Sequence, residues 1–194
     1  MVTMTPLERI ILRLKESRDL LDMVTRDSNF AESLSALSVE CTSKIEDGGK
    51  LVFFGNGGSA GDAQHLAAEF VGRYLVERKP IPAVALTTNS SVLTAISNDY
   101  DYSSVFSRQV EALVGKGDVV FGISTSGDSK NVIKGLEEAR ALGATTVSFS
   151  GNSGGKVSKI SDYCFIVPSD STPLIQQMHI TIGHILCELI ELSL

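Results

Sequence analysis

Apolar residues recur along this chain at two alternating periods, one helical and one too short for a helix. Leu7, Ile10, Ile11, Leu14, Leu21 and Val24 fall at three- and four-residue spacing and predict a first helix. Thr5-Pro6-Leu7-Glu8 supplies its start: a capping hydroxyl, a proline at the first position and a glutamate at the third. A second helix runs from about Asn29 to Glu46, with Phe30, Leu34, Leu37 and Ile45 on its buried side, and stops at Asp47-Gly48-Gly49. Compact apolar runs follow at 51–54, 83–86, 119–123, 145–149 and 163–167, and each reads as a buried strand. Helical patterns separate them, beginning at Ala60 and covering about 91–96, 105–114 and 132–142, with part of a short helix at 157–160. A long helix over 173–192 closes the chain. Ser97-Asn98-Asp99-Tyr100 reads as a polar turn.

Strands alternating with helices predict an α/β fold, a parallel sheet of five strands flanked by helices on both faces. No repeat or low-complexity linker divides the chain, so residues 1–194 form one domain: a helical segment, 1–48, ahead of an α/β core, 49–194. Two helices before the first strand carry more apolar surface than a simple sheet uses. Of the two outlets for it, an extra helical layer or an oligomer interface, the interface is the favoured expectation.

Composition narrows the classes. With 194 residues, 43% of them hydrophobic, the chain can bury a sizeable core. A net charge of −6 argues against a general nucleic-acid surface, so an anionic ligand must be held by local dipoles and hydroxyls. Cys41, Cys164 and Cys187 sit in apolar patterns without metal or redox spacing, which suits small core residues in a reducing cytoplasm. The N-terminal stretch is too charged for a signal peptide, and no apolar run reaches membrane-spanning length.

The chemistry concentrates in three stretches. After the first strand comes Gly55-Asn56-Gly57-Gly58-Ser59 and then a helix, an order that aims amide N–H groups and a positive helix end at an anion. It matches neither a P-loop nor a dinucleotide fingerprint, and a tight turn is the bland alternative. The helix carries His65 and Glu69 one turn apart, a spacing that solvated helix faces also show. After the third strand, Ser124, Thr125, Ser126 and Ser129 offer hydroxyls at another helix start, where simple capping is the default reading. Two such loops at strand carboxyl ends favour a phosphorylated small molecule. In the last helix, Gln176, Gln177, His179 and His184 interrupt an apolar surface, each open to being an ordinary hydrogen-bonded core residue.

Taken together, GNGGSAGDAQHLAAEF, the SND turn, ISTSGDSKNVIKG and IQQMHITIGHILCELIE resemble the sugar isomerase (SIS) domain family. Within it the chain is most similar to the isomerases of phosphorylated seven-carbon sugars, and the likeness spans nearly its whole length. The resemblance implies a zinc site of His65, Glu69, Gln176 and His184. It implies substrate contacts from Asn56, Gly57, Gly58, Asn98, Asp99, Ser124, Thr125, Ser126, Ser129 and Gln176, with Glu69 and His184 as the acid–base pair. It further implies conversion of sedoheptulose 7-phosphate to D-glycero-D-manno-heptose 7-phosphate through an enediol, for bacterial surface glycans. The assembly implied is a cytoplasmic homotetramer with sites at subunit interfaces. Pro173 stands where some similar enzymes have an acidic residue, and Asp170 could replace it only with a rearranged loop. The rival readings are a non-catalytic SIS-type regulator that binds the replication initiator DnaA, an isomerase of another sugar phosphate, and a phosphosugar-sensing domain. The paired Glu69 and His184 favour the enzyme. One geometric expectation is independent of the family: eight residues separate Gln176 from His184, roughly 12 Å of rise and about 80° of rotation in a straight helix. Both can serve one ion if the site is split between subunits or if Gln176 lies on an unwound first turn.

Overall fold

The computed structural model describes residues 4–194; the first three residues of the charged N-terminal stretch lie outside the described residues. The helices are α1 (Pro6–Thr25), α2 (Ser28–Glu46), α3 (Gly58–Val71), α4 (Ser90–Asp99), α5 (Ser107–Leu113), α6 (Lys130–Ala141) and α7 (Thr172–Glu191). The strands are β1 (Leu51–Gly55), β2 (Ala83–Ala85), β3 (Val119–Ser124), β4 (Thr145–Gly151) and β5 (Tyr163–Val167). Thr5 and Glu8 form the reciprocal cap expected at the start of α1. Short 3-10 turns at Tyr102–Ser104 and Val157–Lys159 complete the order.

All strand pairs are parallel, in the order β2-β1-β3-β4-β5. The central strands β1 and β3 are buried on both faces, which explains their unbroken apolar runs. Alternation along β1 divides the core. Leu51 and Phe53 face a layer built from α2, α3 and α7, while Val52 and Phe54 face Val105, Phe106, Val132 and Leu136 on the other side. Phe53 stacks on Phe121 at 4.6 Å and Phe54 on Phe106 at 4.9 Å, so large rings fill both layers. Each such fully buried side chain contributes about 1.5–3 kcal/mol.

Two expectations change. Asn98 and Asp99 are not in a turn but in the last turn of α4. Asn89 caps that helix through the Val92 amide, and Thr94 and Ser97 return their hydroxyls to the Ser90 and Leu93 carbonyls at 2.7 and 2.6 Å. Polar side chains that bond within the helix let it run through a sequence that reads as a loop. The second change concerns Gln176, which lies inside the continuous helix α7; the unwound first turn does not exist. Pro173 occupies the start of that helix, where a proline costs nothing, and Asp170 is exposed in the loop before it.

The apolar face of α1 is only partly used. Leu20 is its buried residue, whereas Leu7 and Leu14 remain 66% and 67% exposed and Ile10, Ile11 and Leu21 are exposed beside them.

Candidate active site

Strands are added to one side from β1 to β2 and to the other from β3 onward, so the strand order reverses between β1 and β3, the position where open α/β sheets bind ligands. Both polar loops leave from these two strands, so the 55–59 and 124–129 segments are neighbours. Gly57, with φ +57°, stands before α3, and no side chain caps that helix. The Ser59 and Ala60 amides bond instead to the Asn56 and Gly57 carbonyls at 3.0 and 3.1 Å, and the positive end of the helix still favours an anion in front of it. Ser129 does not cap α6 with its hydroxyl; instead the Ser124 hydroxyl donates to it at 3.0 Å, and Ser126 accepts from the Asp128 amide at 3.2 Å. Ser124 is buried, Thr125 and Ser129 are half-buried and Ser126 is exposed, a graded wall of hydroxyls. Gly127, at φ +70°, lets this loop press on the 154–155 backbone: a Cβ there would lie 2.1 Å from the Gly154 carbonyl oxygen.

Asn56 is held by a partner that sequence reading passes over. Its amide exchanges two hydrogen bonds with the buried Asn131 of α6, at 2.9 and 2.8 Å, and its oxygen also accepts from the Tyr102 hydroxyl at 3.1 Å. Through Tyr102 the segment following α4 comes alongside the loop. Asn98 and Asp99 themselves are exposed and hydrogen-bonded to one another at 2.9 Å. Gln176 lies flat against Gly58, where an added Cβ would come within 2.5 Å of its side-chain nitrogen. That glycine is there because the glutamine is.

Helices α3 and α7 run side by side in the same direction, and their contacts climb both together. Gly58 meets Gln176, Leu66 meets Gly183, and His65 meets His184. The two histidine Nε2 atoms face each other at 2.8 Å, one ring donating and the other accepting, and Glu69 Oε1 lies 3.2 Å from His65 Nε2. One ligand atom from each of His65, Glu69 and His184 falls within 4.8 Å of the others. Two imidazoles and a carboxylate converging on one point, with His65 about half exposed, form a donor set that fits a divalent ion such as Zn²⁺ and leaves room for a further ligand. Asp62, one turn before His65, has a buried oxygen without a hydrogen-bond partner among the described residues; burial pushes its carboxyl up to about 6, opposed by His65. His179 is not at this cluster. It is fully buried and donates from Nε2 to the Ser150 carbonyl at 3.0 Å, and burial pushes its imidazole down to about 4.

Comparison with known proteins places this geometry in company. The profile of the SIS domain matches residues 14–151. The chain is 56% identical over 162 residues to a phosphoheptose isomerase of Aquifex aeolicus, covering 84% of this chain and 85% of that one. The structure of a phosphoheptose isomerase from Francisella tularensis superposes with a TM-score of 0.93 at 33% identity, over 97% of this chain and all of the other. The corresponding enzyme of Neisseria gonorrhoeae gives 0.91 at 38% identity, over 98% of this chain and 100% of its own.

Proposed function

Since the chain belongs to the SIS domain family and, within it, to the phosphoheptose isomerases, we propose that it interconverts sedoheptulose 7-phosphate and D-glycero-D-manno-heptose 7-phosphate. The product class suits the supply of heptose to surface glycans. The observation that carries the reading is the meeting of His65, Glu69 and His184 on a seam that leads up to the two polar loops. A regulator that only binds another protein has no use for such a cluster.

The phosphate monoester lies at the positive amino-terminal end of α3 and takes the hydroxyls of Ser124, Thr125, Ser126 and Ser129, with Asn56 beside them. Gly57 and Gly58 let the ester approach the backbone, and Gln176, Asn98 and Asp99 serve the sugar hydroxyls. Isomerisation moves a proton between C1 and C2 through an enediol. Glu69 and His184 are the pair for it: one removes the carbon-bound proton while the other carries the proton of the adjacent oxygen. His65, Glu69 and His184 would hold Zn²⁺, which when bound supplies polarisation of the sugar oxygens. Gln176 lies about 12 Å of helix rise ahead of His184, so in this reading it completes the ion's ligands from a second copy of the chain. A homotetramer with sites between subunits follows from that reading, and the uncovered apolar face of α1 supports it. The unpaired cysteines fit a cytoplasmic enzyme.

The test is NMR of sedoheptulose 7-phosphate in heavy water. Wild-type protein should place deuterium at C1 or C2, and Glu69→Gln and His184→Gln should each stop it, the double variant being little worse than either. Exchange that survives in both folded variants would overturn the acid–base assignment. Mixed oligomers of Gln176→Ala and His184→Ala chains should recover activity, and verified hetero-oligomers that recover none would count against the shared site.

A further inference from the structure

The far end of the α3–α7 seam carries a charged cluster that the reaction as described does not use. Glu191 is the last residue of α7, a poor place for a carboxylate because the helix dipole is negative there. It is also buried, at 4% exposure. Such a group persists only with strong partners. Its oxygens accept the backbone N–H of Tyr74 at 2.8 Å, Leu75 at 2.6 Å and Val76 at 3.0 Å, and Arg78 Nε lies 2.9 Å away. Burial, the largest influence, pushes this carboxyl up, and the three amides with Arg78 overcome it, leaving it below the ordinary glutamate range.

Arg78 faces the other way as well. Its Nη2 donates to the carbonyl of Glu69 at 2.8 Å and its Nη1 to that of Phe70 at 2.9 Å, satisfying carbonyls at the end of α3. The residues between Gly72 and Pro80 form no helix or strand, and Leu75 and Val76 are exposed. Three amides on one buried carboxylate are thus the main anchor of this segment. The segment in turn delivers the Tyr74 ring onto His184, with centroids 5.5 Å apart and planes 22° from parallel.

We propose that Glu191 and Arg78 are positioning residues of the isomerase site. They fix the 74–76 backbone so that Tyr74 holds the His184 imidazole in the plane that faces His65 and Glu69. Neither touches the reacting atoms; they act through Tyr74 and through the Glu69 carbonyl. The inference rests on His184 and Glu69 being the working pair, and a metal-affinity measurement separates the two ideas.

Glu191→Gln keeps the side chain's size but presents an N–H₂ to amides that need an acceptor. In the intact oligomer it should lower kcat about 10- to 100-fold while KM for the sugar phosphate stays within about twofold, because the phosphate loops are at the opposite end of the seam. Zn²⁺ affinity, read by competition with a zinc-binding dye, should fall about 10-fold, the usual cost of losing an outer partner of a ligand. Tyr74→Ala, a change in a partly exposed segment that spares the buried cluster, should reproduce both effects. The Glu191→Gln/Tyr74→Ala double variant should be no worse than the single ones, since both act along one path. Arg78→Lys should lie between these variants and wild type.

A folded Glu191→Gln protein with lowered Tm but wild-type kcat and zinc affinity would overturn the proposal, because the cluster would then serve stability alone. If Glu191→Gln fails to fold, Tyr74→Ala decides by the same two readouts. A wild-type protein without turnover on the ketose phosphate would sink the reading of the site, and the zinc measurement would still judge the positioning role.

Discussion

The two halves of the candidate site are built differently. At the strand ends, the loops are fixed by short polar side chains that satisfy one another: Asn56 with Asn131, Ser124 with Ser129, Ser126 with the Asp128 amide. Along the α3–α7 seam, the chemistry rests on long side chains reaching across two helices, with His65 about half exposed and the packing supplied from below by Tyr74. The first half is a preformed cradle suited to holding a constant group. The second has fewer local restraints, which suits groups that must exchange protons and accept an ion. Binding and chemistry should therefore fail separately when each half is damaged.

The largest separation is expected from His65→Ala. Bound zinc, measured by elemental analysis of the purified protein, should fall to near zero and turnover should drop by about 10³-fold, while binding of a sugar-phosphate ligand in calorimetry stays near wild type. Equal loss of binding would merge the two halves. The converse variant, Ser124→Ala with Ser126→Ala, removes hydroxyls worth about 1.5 kcal/mol each to a charged acceptor, so affinity should weaken roughly 100-fold. Zinc content and saturated turnover should remain close to wild type, and an unchanged affinity would refute the role of the serine loop.

His179 joins the halves, since it ties α7 to the end of β4 through Ser150. Its folded pKa of about 4 lies below the ordinary 6.5, so the unfolded chain binds more protons between these values. Stability from this group is then present in full above about pH 6.5 and is lost as pH falls toward 4, by about 2 kcal/mol between pH 7 and pH 5. Urea unfolding at both values should show that loss in wild type and little of it in His179→Gln. A slope of equal size in the variant would assign the pH dependence elsewhere. The smallest effect is expected from Asn131→Ala, which frees the Asn56 amide. About 1 kcal/mol, or some fivefold, should be lost in ligand affinity without a change in zinc content.

How much of this was legible differs between the same two halves. The loops are written in consecutive residues, and glycine, serine and asparagine after an apolar run state their purpose locally. The strands β1 and β3 were equally plain because central parallel strands are buried on both faces and so read as unbroken apolar runs. What the loops do not reveal is that they are neighbours, which depends on β1 pairing with β3. The seam is harder to read. His65 and Glu69 share a helix, but His184 joins them only through the packing of helices far apart in the chain. Asn131, Arg78 and Glu191 carried no signal at all: each looks like an ordinary polar residue of a helix start, a loop or a helix end. The end of α4 misled for a local reason, since the Thr94 and Ser97 hydroxyls bond within the helix instead of stopping it.

The shared direction and matched contacts of α3 and α7 make the seam behave as a ruler. Gly58 with Gln176, His65 with His184 and Tyr74 with Glu191 are three marks on one scale. Removing a single residue from α7 between Gln176 and His184 would shift everything beyond it by about 1.5 Å and turn it by about 100°. The upper mark would stay aligned while the middle and lower ones turned away together. Substitutions along this stretch can be absorbed one at a time, but a change of length cannot, so the spacing of the two helices constrains this site more tightly than the identity of most residues within it.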